Sequence, residues 1–290
     1  MTAIIFGANG QDGYYLANAL REEGFQVIGV SRRGDFLRTD ITSLNEVAEL
    51  IKTHEPSFIF HFAANSTTRH DAMFENHETI CTGTLNILEA VRLHSPKTKV
   101  FISGSALQFK NHGKPVKESD PFEARDPYAV SRIQSVYAAR YFRTLGLKVY
   151  VGYFFNHDSP RRSERHVAMK IAAAARRIAA GSKEILEIGD MSVVKEWSFA
   201  GDLMRALLIF IKQEVVFEVN LGSGEGHSIR EWAEACFNSV DLDYRDHVKE
   251  DSDFKAEYKS LTCDPHLLFS LGYKPQTSFI SLAKMMVNDR

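Results

Sequence analysis

The amino-acid sequence predicts an α/β fold built on a doubly wound parallel sheet. Short apolar runs alternate with longer amphipathic segments, as parallel strands alternate with crossover helices. The apolar runs are nearly continuous, which is typical of strands buried on both faces. With 290 residues, of which 44% are hydrophobic and 25% are charged, the chain has the composition and length of a globular protein with a sizeable core.

Local patterns place the elements of the first half in order. Residues 2–6 form an apolar strand that runs into glycines, and the helix at 11–23 is stopped by Gly24. A helix at 43–53 begins at a serine, which is a preferred helix start. The remaining elements are strands at 25–30, 57–62, 99–102 and 148–154, and helices at 77–94 and 127–145.

The pattern changes after residue 155. Residues 161–165 are charged and loop-like, and residues 241–253 are acidic and irregular. A glycine-rich turn follows the first strand, as in dinucleotide-binding sheets. We therefore expect residues 1–155 to form the dinucleotide-binding domain and residues 156–290 to form a smaller C-terminal lobe that binds the substrate. The later elements are helices at 168–180 and 203–212 and a strand at 216–220, and the segment around 190–212 is expected to return to the first domain.

Charge and cysteine content exclude several classes of protein. A formal net charge of −2 gives no electrostatic reason to expect nucleic acid or an acidic membrane surface as a partner. Cys81, Cys236 and Cys263 have unrelated spacings, so we expect neither a disulfide framework nor a zinc site. The histidines include no pair at helical ligand spacing beside a carboxylate, and no metal is expected. Without a basic leader or a long apolar run, the chain is expected to be cytoplasmic.

A glycine-rich turn joins the first predicted strand to the first helix. Such a turn lets the backbone approach a pyrophosphate, whose charge is favoured by the free N–H groups of the helix start. The strand–turn–helix context favours a Rossmann-type dinucleotide site over an ordinary glycine turn. The candidate cofactor-binding residues here are Gly7, Asn9, Gly10, Gln11, Asp12 and Gly13.

Two arginines follow the second predicted strand. Arg32 and Arg33 stand where NAD-specific folds place an acid for the ribose hydroxyls, and two guanidinium groups can grip a 2′-phosphate. We therefore expect NADP(H) rather than NAD(H), the alternative being a solvated basic turn. Asp40 is placed to contact the adenine, and Ala63 and Ala64 are small enough for a dinucleotide to pass close to the backbone.

A tyrosine and an arginine one helical turn apart mark the candidate catalytic site. Tyr128 and Arg132 share one face of a predicted helix. The segment 103–132 resembles the active-site frame of the short-chain dehydrogenases, in which a hydroxyl residue precedes a Tyr-x-x-x-Lys helix. The resemblance implies that Tyr128 exchanges a proton with the substrate.

Further motifs resemble one family of the extended short-chain dehydrogenases, the GDP-mannose 4,6-dehydratase family, nearly from end to end. FNHDSPRR at 155–162 is similar to the family's FNHESPRR, and KEW at 195–197 is similar to its RDW. GHSIRE at 226–231 is similar to its VHSVRE, and LGYKP at 271–275 is similar to its LGWKP. The family has the Rossmann-type sheet and the smaller substrate-binding lobe that the strand pattern predicts.

The resemblance implies a GDP-linked hexose, or its 4-keto derivative, as the substrate in a cleft between the two lobes. Lysine and arginine suit a diphosphate, and an asparagine suits a sugar or phosphate oxygen. Each of these charges alone is as well explained by a solvated surface. The implied substrate-binding residues are Asn156, Arg162, Val167, Lys170, Lys195, Arg230 and Glu257.

The chain departs from the family at its catalytic positions. The family's threonine falls on Gly104, its glutamate base on Ala106 and its lysine on Arg132. Ser103 or Ser105 is the candidate for the missing hydroxyl.

Two further departures lie outside the catalytic segment. The arginine of the family's RPTE segment falls on Phe254, although Glu257 is kept. The loop after Arg33 is shorter than the family's loop, which supports cofactor binding across a tetramer interface. The shorter loop argues against a tetramer, and the resemblance to short-chain dehydrogenases implies a homodimer through the helices at 77–94 and 127–145.

These residues predict a reaction at one carbon of the sugar. Redox at C4 requires a proton-exchanging tyrosine near a cation, which Tyr128 and Arg132 supply. Removing the C5 proton requires a carboxylate-like base, which Ala106 cannot supply. The prediction is an NADP(H)-dependent oxidoreductase acting at C4, such as a 4-keto-sugar reductase. Two alternatives remain open: a 4,6-dehydratase with a replacement base, and a catalytically silent sugar-nucleotide binder.

Overall fold

The computed structural model describes residues 1–251 and 253–288, and a six-stranded parallel sheet organises this part of the chain. The strand order β10-β5-β4-β3-β1-β2 is that of a doubly wound sheet, because the chain builds outward from β1 in both directions. The strands are β1 (Thr2–Phe6), β2 (Gln26–Val30), β3 (Phe58–His61), β4 (Lys99–Ser105), β5 (Lys148–Phe154), β6 (His157–Asp158), β7 (Leu186–Ile188), β8 (Val194–Glu196), β9 (Ser198–Phe199), β10 (Glu218–Leu221), β11 (Gly226–Ser228), β12 (Val248–Glu250) and β13 (Ser260–Leu261).

Helices cover both faces of this sheet, and their starts follow local capping chemistry. The Ser43 side chain accepts a hydrogen bond from the Glu46 N–H, and Asp126 accepts one from the Ala129 N–H. The helices are α1 (Gln11–Glu22), α2 (Leu44–His54), α3 (Met73–Asn76), α4 (Gly83–His94), α5 (Pro127–Thr144), α6 (Val167–Ala179), α7 (Ala200–Lys212), α8 (Ile229–Asn238), α9 (His266–Ser270) and α10 (Phe279–Asn288).

Alternation along β1 separates two apolar cores. Ile4 and Phe6 pack into a cluster with α2, α4 and α5, whereas Ala3 and Ile5 pack with α1 and α7 on the other face. Every one of these four side chains is buried, as expected for a strand enclosed on both faces.

A third core lies outside the large sheet. Helices α6, α8 and α10 enclose it, and Trp197 stacks on Trp232 with ring centroids 4.4 Å apart. Three small sheets accompany this core and its junction with the large sheet: β11-β8-β13, β12-β7 and β6-β9.

The structure refines three of the predicted elements. Residues 77–82 form a π-helical turn before α4 instead of an α-helical start, with Ile80 and Cys81 buried. Strand β4 continues to Ser105, because its last residues pair with 152–154 of β5. The segment 241–253 contains β12, so it is not wholly irregular. Ser252 in that segment, and residues 289 and 290 of the predicted lobe, lie outside the described residues.

Candidate active site

The turn between β1 and α1 brings backbone close to backbone. Gly7 has a φ of +89°, and a Cβ there would lie 2.7 Å from the Ala63 nitrogen. A Cβ on Gly13 would lie 2.5 Å from the Gly7 carbonyl oxygen. No side chain caps the start of α1 at Gly10, so its first N–H groups are available to an anion. This cradle fits the pyrophosphate of a dinucleotide.

Two side chains at the start of α1 join this turn to the β6 segment. The Ser159 hydroxyl donates a hydrogen bond to Gln11 Oε1 at 2.7 Å. The His157 ring donates from Nε2 to Asp12 Oδ1 at 2.9 Å and from Nδ1 to the Phe155 carbonyl oxygen at 2.7 Å. The candidate cofactor-binding turn is therefore linked to the segment that carries the FNHDSPRR motif.

The pair formed by Asp12 and His157 is charged. Although burial acts against both charges, His157 lowers the pKa of Asp12 to about 2. Burial likewise opposes the imidazolium, but the Asp12 carboxylate raises the pKa of His157 above its usual range. An imidazolium explains why both ring nitrogens face acceptors.

The residues predicted to bind the adenosine half lie between β2 and α2. Arg32 forms an exposed ion pair with Glu75 at 3.0 Å, and Arg33 is exposed. The Asp40 carboxylate accepts hydrogen bonds from the Thr42 N–H at 2.9 Å and the Thr42 hydroxyl at 2.8 Å, which lower the pKa of Asp40. Asp40 thus closes a turn before α2 while it remains exposed to a ligand.

The guanidinium of Arg132 is directed into the protein. Its Nη1 donates to the Ser103 carbonyl oxygen at 2.5 Å and to the Ser103 hydroxyl at 2.7 Å. Its Cζ lies 5.0 Å from the centroid of the Tyr128 ring, which is a cation–π contact. The Ser103 hydroxyl in turn donates to the His61 carbonyl oxygen at 2.8 Å. The structure therefore brings Tyr128, Arg132 and Ser103 together at the end of β4.

The positive charge of Arg132 has no neutralising partner in the described part of the chain. Only 4% of this residue is exposed, its Nε has no hydrogen-bond partner, and it forms no ion pair with a described carboxylate. Burial and the nearby Arg132 charge lower the pKa of His61 to about 3, so this imidazole is neutral. Burial raises the pKa of the nearby Cys81 thiol.

The space beside Gly104 is occupied. A Cβ on Gly104 would lie 2.6 Å from Tyr153 Cδ1 and 3.1 Å from Gln108 Oε1. Ala106 is 3% exposed and belongs to the apolar core. Ser105 accepts from the Leu107 N–H at 3.2 Å. Positions 104 and 106 therefore offer neither a hydroxyl nor a carboxylate.

Three residues implied as substrate-binding lie beside β6 and β8. Arg162 pairs with the buried Asp158 at 3.1 Å. Lys195 is buried, with its Nζ 4.8 Å from the centroid of the Trp197 ring. Burial lowers the pKa of Lys195. The Asn156 carbonyl oxygen accepts from the Ser198 N–H at 3.3 Å, and Asn156 is half-buried.

The other implied substrate-binding residues surround the β7–β12 pair. Lys170 donates to the Glu187 carbonyl oxygen at 2.7 Å, and Arg230 pairs with Glu250 at 2.6 Å. Val167 is the first residue of α6, and Glu257 is exposed. Each cation uses one N–H donor in these contacts and keeps others for a phosphate oxygen.

Sequence reasoning missed three residues at the site. Glu75 lies in a polar stretch without a motif, and no sequence signal marks its contact with Arg32. His157 was part of a motif, but its pairing with Asp12 depends on the fold. The third is Tyr153, which lies opposite Gly104. The sequence indicates this pairing of a large and a small residue only once the β4–β5 register is known.

Three further features of the described chain, a cavity, possible metal ligands and possible membrane helices, are separate from the site at Tyr128. A cavity of about 370 Å³ lies between α1, α7 and the loop 272–276, and neither Tyr128 nor the glycine turn lines it. Within residues 1–251 and 253–288, no group of three His, Cys, Asp or Glu side chains could hold a metal ion. No described helix has both the length and the apolar character needed to cross a bilayer.

Comparison with protein families gives one match over almost the whole chain. The model described as GDP-mannose 4,6 dehydratase matches residues 4–286. GDP-mannose 4,6 dehydratase 2 of Arabidopsis thaliana is 32% identical and is aligned over 99% of this chain and 86% of its own length. The GDP-mannose 4,6-dehydratase of Yersinia enterocolitica is also 32% identical, over 79% of this chain and 69% of its own.

Solved structures share the fold at lower identity. RMD from Pseudomonas aeruginosa, solved with NADPH, has a TM-score of 0.88 at 21% identity and covers 99% of this chain and 98% of its own. The UDP-glucose 4-epimerase of Thermus thermophilus, solved with NAD, has a TM-score of 0.85 at 22% identity with the same coverage of 99% and 98%. These likenesses confirm the predicted α/β fold with a parallel sheet.

Proposed function

This chain belongs to the GDP-mannose 4,6-dehydratase family of extended short-chain dehydrogenases, which are enzymes, and we propose that it is an NADP(H)-dependent oxidoreductase acting at C4 of a GDP-linked hexose. One observation carries the proposal. Tyr128 and Arg132 are kept together, while Gly104 and Ala106 stand where elimination would need a hydroxyl and a base.

The cofactor part of the proposal rests on the glycine turn and the basic pair after β2. The uncapped start of α1 suits a pyrophosphate, and the exposed Arg33 beside Arg32 suits a 2′-phosphate. Structural neighbours were solved with either NADPH or NAD, so the two arginines are what favours NADP(H). When bound, this cofactor supplies or accepts the hydride at C4.

The proposed catalytic roles follow from the contacts at the end of β4. During reduction of a 4-keto sugar, the C4 carbon gains the hydride and the C4 oxygen takes the proton of the Tyr128 phenol. The resulting phenolate is stabilised by the fixed charge of Arg132, which Ser103 holds through two hydrogen bonds. Ser105 is the better donor to the C4 oxygen, because the Ser103 hydroxyl already donates to His61.

Elimination is the weaker part of the chemistry here. Loss of a general base typically reduces a rate by about 10²- to 10⁴-fold. The methyl group of Ala106 is buried in the core and cannot take a proton from C5. A 4,6-dehydratase that uses a replacement base is the second candidate, and membership in the family favours it.

The substrate part of the proposal rests on cations near the third core. We assign a GDP-sugar to this region because basic side chains from several elements can meet its two phosphates. The residues proposed to bind it are Asn156, Arg162, Val167, Lys170, Lys195, Arg230 and Glu257. The three buried free thiols suit a reducing compartment, so the cytoplasm is the proposed location.

Apolar side chains on the outer faces of α4 and α5 support a homodimer. Leu85 on α4 is exposed, as are Val130, Tyr137 and Tyr141 on α5. The spacing of the three α5 residues places them on one helical face. A second copy that packs the same two helices against these residues would bury them in a four-helix contact.

The test offers the purified protein two substrates. It is incubated with NADPH and a GDP-linked 4-keto-6-deoxy hexose, and separately with NADP⁺ and GDP-mannose, and the products are identified by mass spectrometry. NADPH oxidation in step with formation of a 4-hydroxy sugar is the expected result. Tyr128→Phe is the matched control, because it removes only the hydroxyl oxygen and should abolish that oxidation.

The other outcomes separate the remaining hypotheses. A 4-keto-6-deoxy product from GDP-mannose at an ordinary rate would establish the dehydratase and overturn the redox proposal. Tight binding of a GDP-sugar with no turnover over a panel of 4-keto sugars would establish a silent binder.

A further inference from the structure

The carboxylate of Glu75 bridges two segments at the carboxyl ends of the strands of the large sheet. Its Oε1 accepts a hydrogen bond from Arg32 Nη2 at 3.0 Å, and its Oε2 accepts one from Asn65 Nδ2 at 2.7 Å. These hydrogen bonds lower the pKa of Glu75, so this carboxylate is negatively charged at neutral pH. The bridge therefore places a negatively charged carboxylate against the guanidinium of Arg32.

The position of this bridge follows from the strand order. Arg32 follows β2 and Asn65 follows β3, and β1 lies between those two strands. The glycine turn begins at Gly7, directly after β1, so it lies at the carboxyl ends of the strands between those two segments. The Glu75 bridge thus joins the segments on either side of the glycine turn, where the proposed function places the dinucleotide.

Arg32 and Arg33 differ in their partners. Arg32 is engaged by Glu75, whereas Arg33 forms no ion pair with any residue that the structure describes. The bridge is open to solvent, with 76% of the Arg32 side chain and 43% of the Glu75 side chain exposed. Such pairs are weak, so an incoming phosphate can displace the carboxylate from Arg32.

We propose that Glu75 narrows the preference for phosphorylated over unphosphorylated nicotinamide dinucleotide. The carboxylate occupies the anion position of Arg32 in the free protein, and it repels a 2′-phosphate that binds there. A cofactor without that phosphate meets no such penalty. This inference rests on the proposed function, because it requires a dinucleotide at the glycine turn.

The discrimination is then divided between the two arginines. Arg33 provides the attraction for a 2′-phosphate, and the Arg32–Glu75 pair contributes little net charge. Asn65 acts as a positioning residue for the second carboxylate oxygen. Replacing Glu75 by glutamine keeps the size of the side chain and removes its charge.

The experiment measures binding rather than turnover. NADPH and NADH are titrated by the fluorescence of the reduced nicotinamide, and 2′,5′-ADP and 5′-ADP are titrated by calorimetry. Glu75→Gln is compared with the wild type and with Asp71→Asn. The control removes a nearby exposed carboxylate that pairs with Arg69 at 2.6 Å. Melting temperatures of all three proteins verify that they are folded.

Glu75→Gln is expected to tighten NADPH and 2′,5′-ADP by about five- to tenfold, from removal of one charge near the surface, and to change NADH and 5′-ADP by less than about twofold. Asp71→Asn is expected to change neither ratio. In the background of Arg32→Met, the effect of Glu75→Gln on NADPH binding should shrink. The guanidinium that Glu75→Gln would free from its carboxylate partner is then absent.

Three results would overturn the inference. Equal tightening of both cofactors would indicate a general loss of repulsion, and no change would show that Glu75 lies apart from the 2′-phosphate. An equal effect of Asp71→Asn would show that overall charge is responsible. If the wild type binds no dinucleotide at all, the proposed function fails as well, and that outcome differs from binding without a change in ratio.

Discussion

Arg132 binds Ser103 through both the carbonyl oxygen, at 2.5 Å, and the hydroxyl, at 2.7 Å. The same guanidinium lies over the Tyr128 ring, with its Cζ 5.0 Å from the ring centroid. The family's lysine at this position would present a compact charge. The arginine instead presents a wider fork, which here donates two hydrogen bonds to Ser103. The proposed catalytic cation is therefore part of the buried structure at the end of β4.

Removing the charge of Arg132 should affect turnover more than stability. For Arg132→Met we expect turnover to fall about a hundredfold or more, because the charge that stabilises the phenolate is lost. The free energy of unfolding should change by less than about 2 kcal/mol, since relief of an unpaired buried charge offsets two lost hydrogen bonds.

The measurements are steady-state kinetics and urea unfolding. Arg21→Met is the matched control, because Arg21 is an exposed arginine on α1 that donates to Asn18 Oδ1 at 3.3 Å. Wild-type turnover in Arg132→Met would remove this residue from the proposed mechanism.

Restoring a hydroxyl at position 104 should conflict with Tyr153. In Gly104→Thr the new Cβ would lie 2.6 Å from Tyr153 Cδ1, so we expect a loss of about 1–3 kcal/mol in the free energy of unfolding. Tyr153→Leu removes the obstructing ring atoms, and the double variant should be less unstable than the sum of the two single variants. Denaturant unfolding of all four proteins gives the coupling, and simple additivity would argue against the contact.

The charged pair of His157 and Asp12 should make stability depend on pH. Because the folded pKa of His157 is raised above 6.5, its stabilising contribution is complete below that value and is lost as the pH rises through the folded pKa. We therefore expect the wild type to lose stability from pH 6.5 upward. His157→Gln and Asp12→Asn should both flatten this decline.

The same scan includes His94→Gln as its control, because His94 is an exposed residue at the end of α4. Thermal unfolding between pH 5 and pH 9 is the measurement. A decline that persists unchanged in His157→Gln would assign it to another group.

The proposed dimer should depend on the exposed face of α5. Tyr141→Arg places a charge in the middle of the proposed four-helix contact and should convert the dimer to a monomer without unfolding it. Ile185→Arg is the control, because Ile185 is 58% exposed and lies outside α4 and α5. Sedimentation equilibrium of the three proteins decides the question, and a wild type that is monomeric at micromolar concentration would contradict the proposal.

Local patterns predicted most of the fold. The strands of the large sheet lie within a few residues of their predicted positions, because buried parallel strands have continuous apolar runs. The π-helical turn at 77–82 and the small strands were not predicted, since both depend on packing against distant segments. The family was also recognisable from motifs, as the match over residues 4–286 confirms.

Sequence alone determined that the chain has alternating buried strands and helices, a glycine turn after β1 and a Tyr-x-x-x-Arg helix, because each depends on residues that are neighbours along the chain. Only the tertiary structure decided where the charges point. Arg132 meets Ser103 across 29 positions and Arg32 meets Glu75 across 43. Side chains select partners by distance in space, and strand order and register, which bring such residues together, are properties of the whole fold.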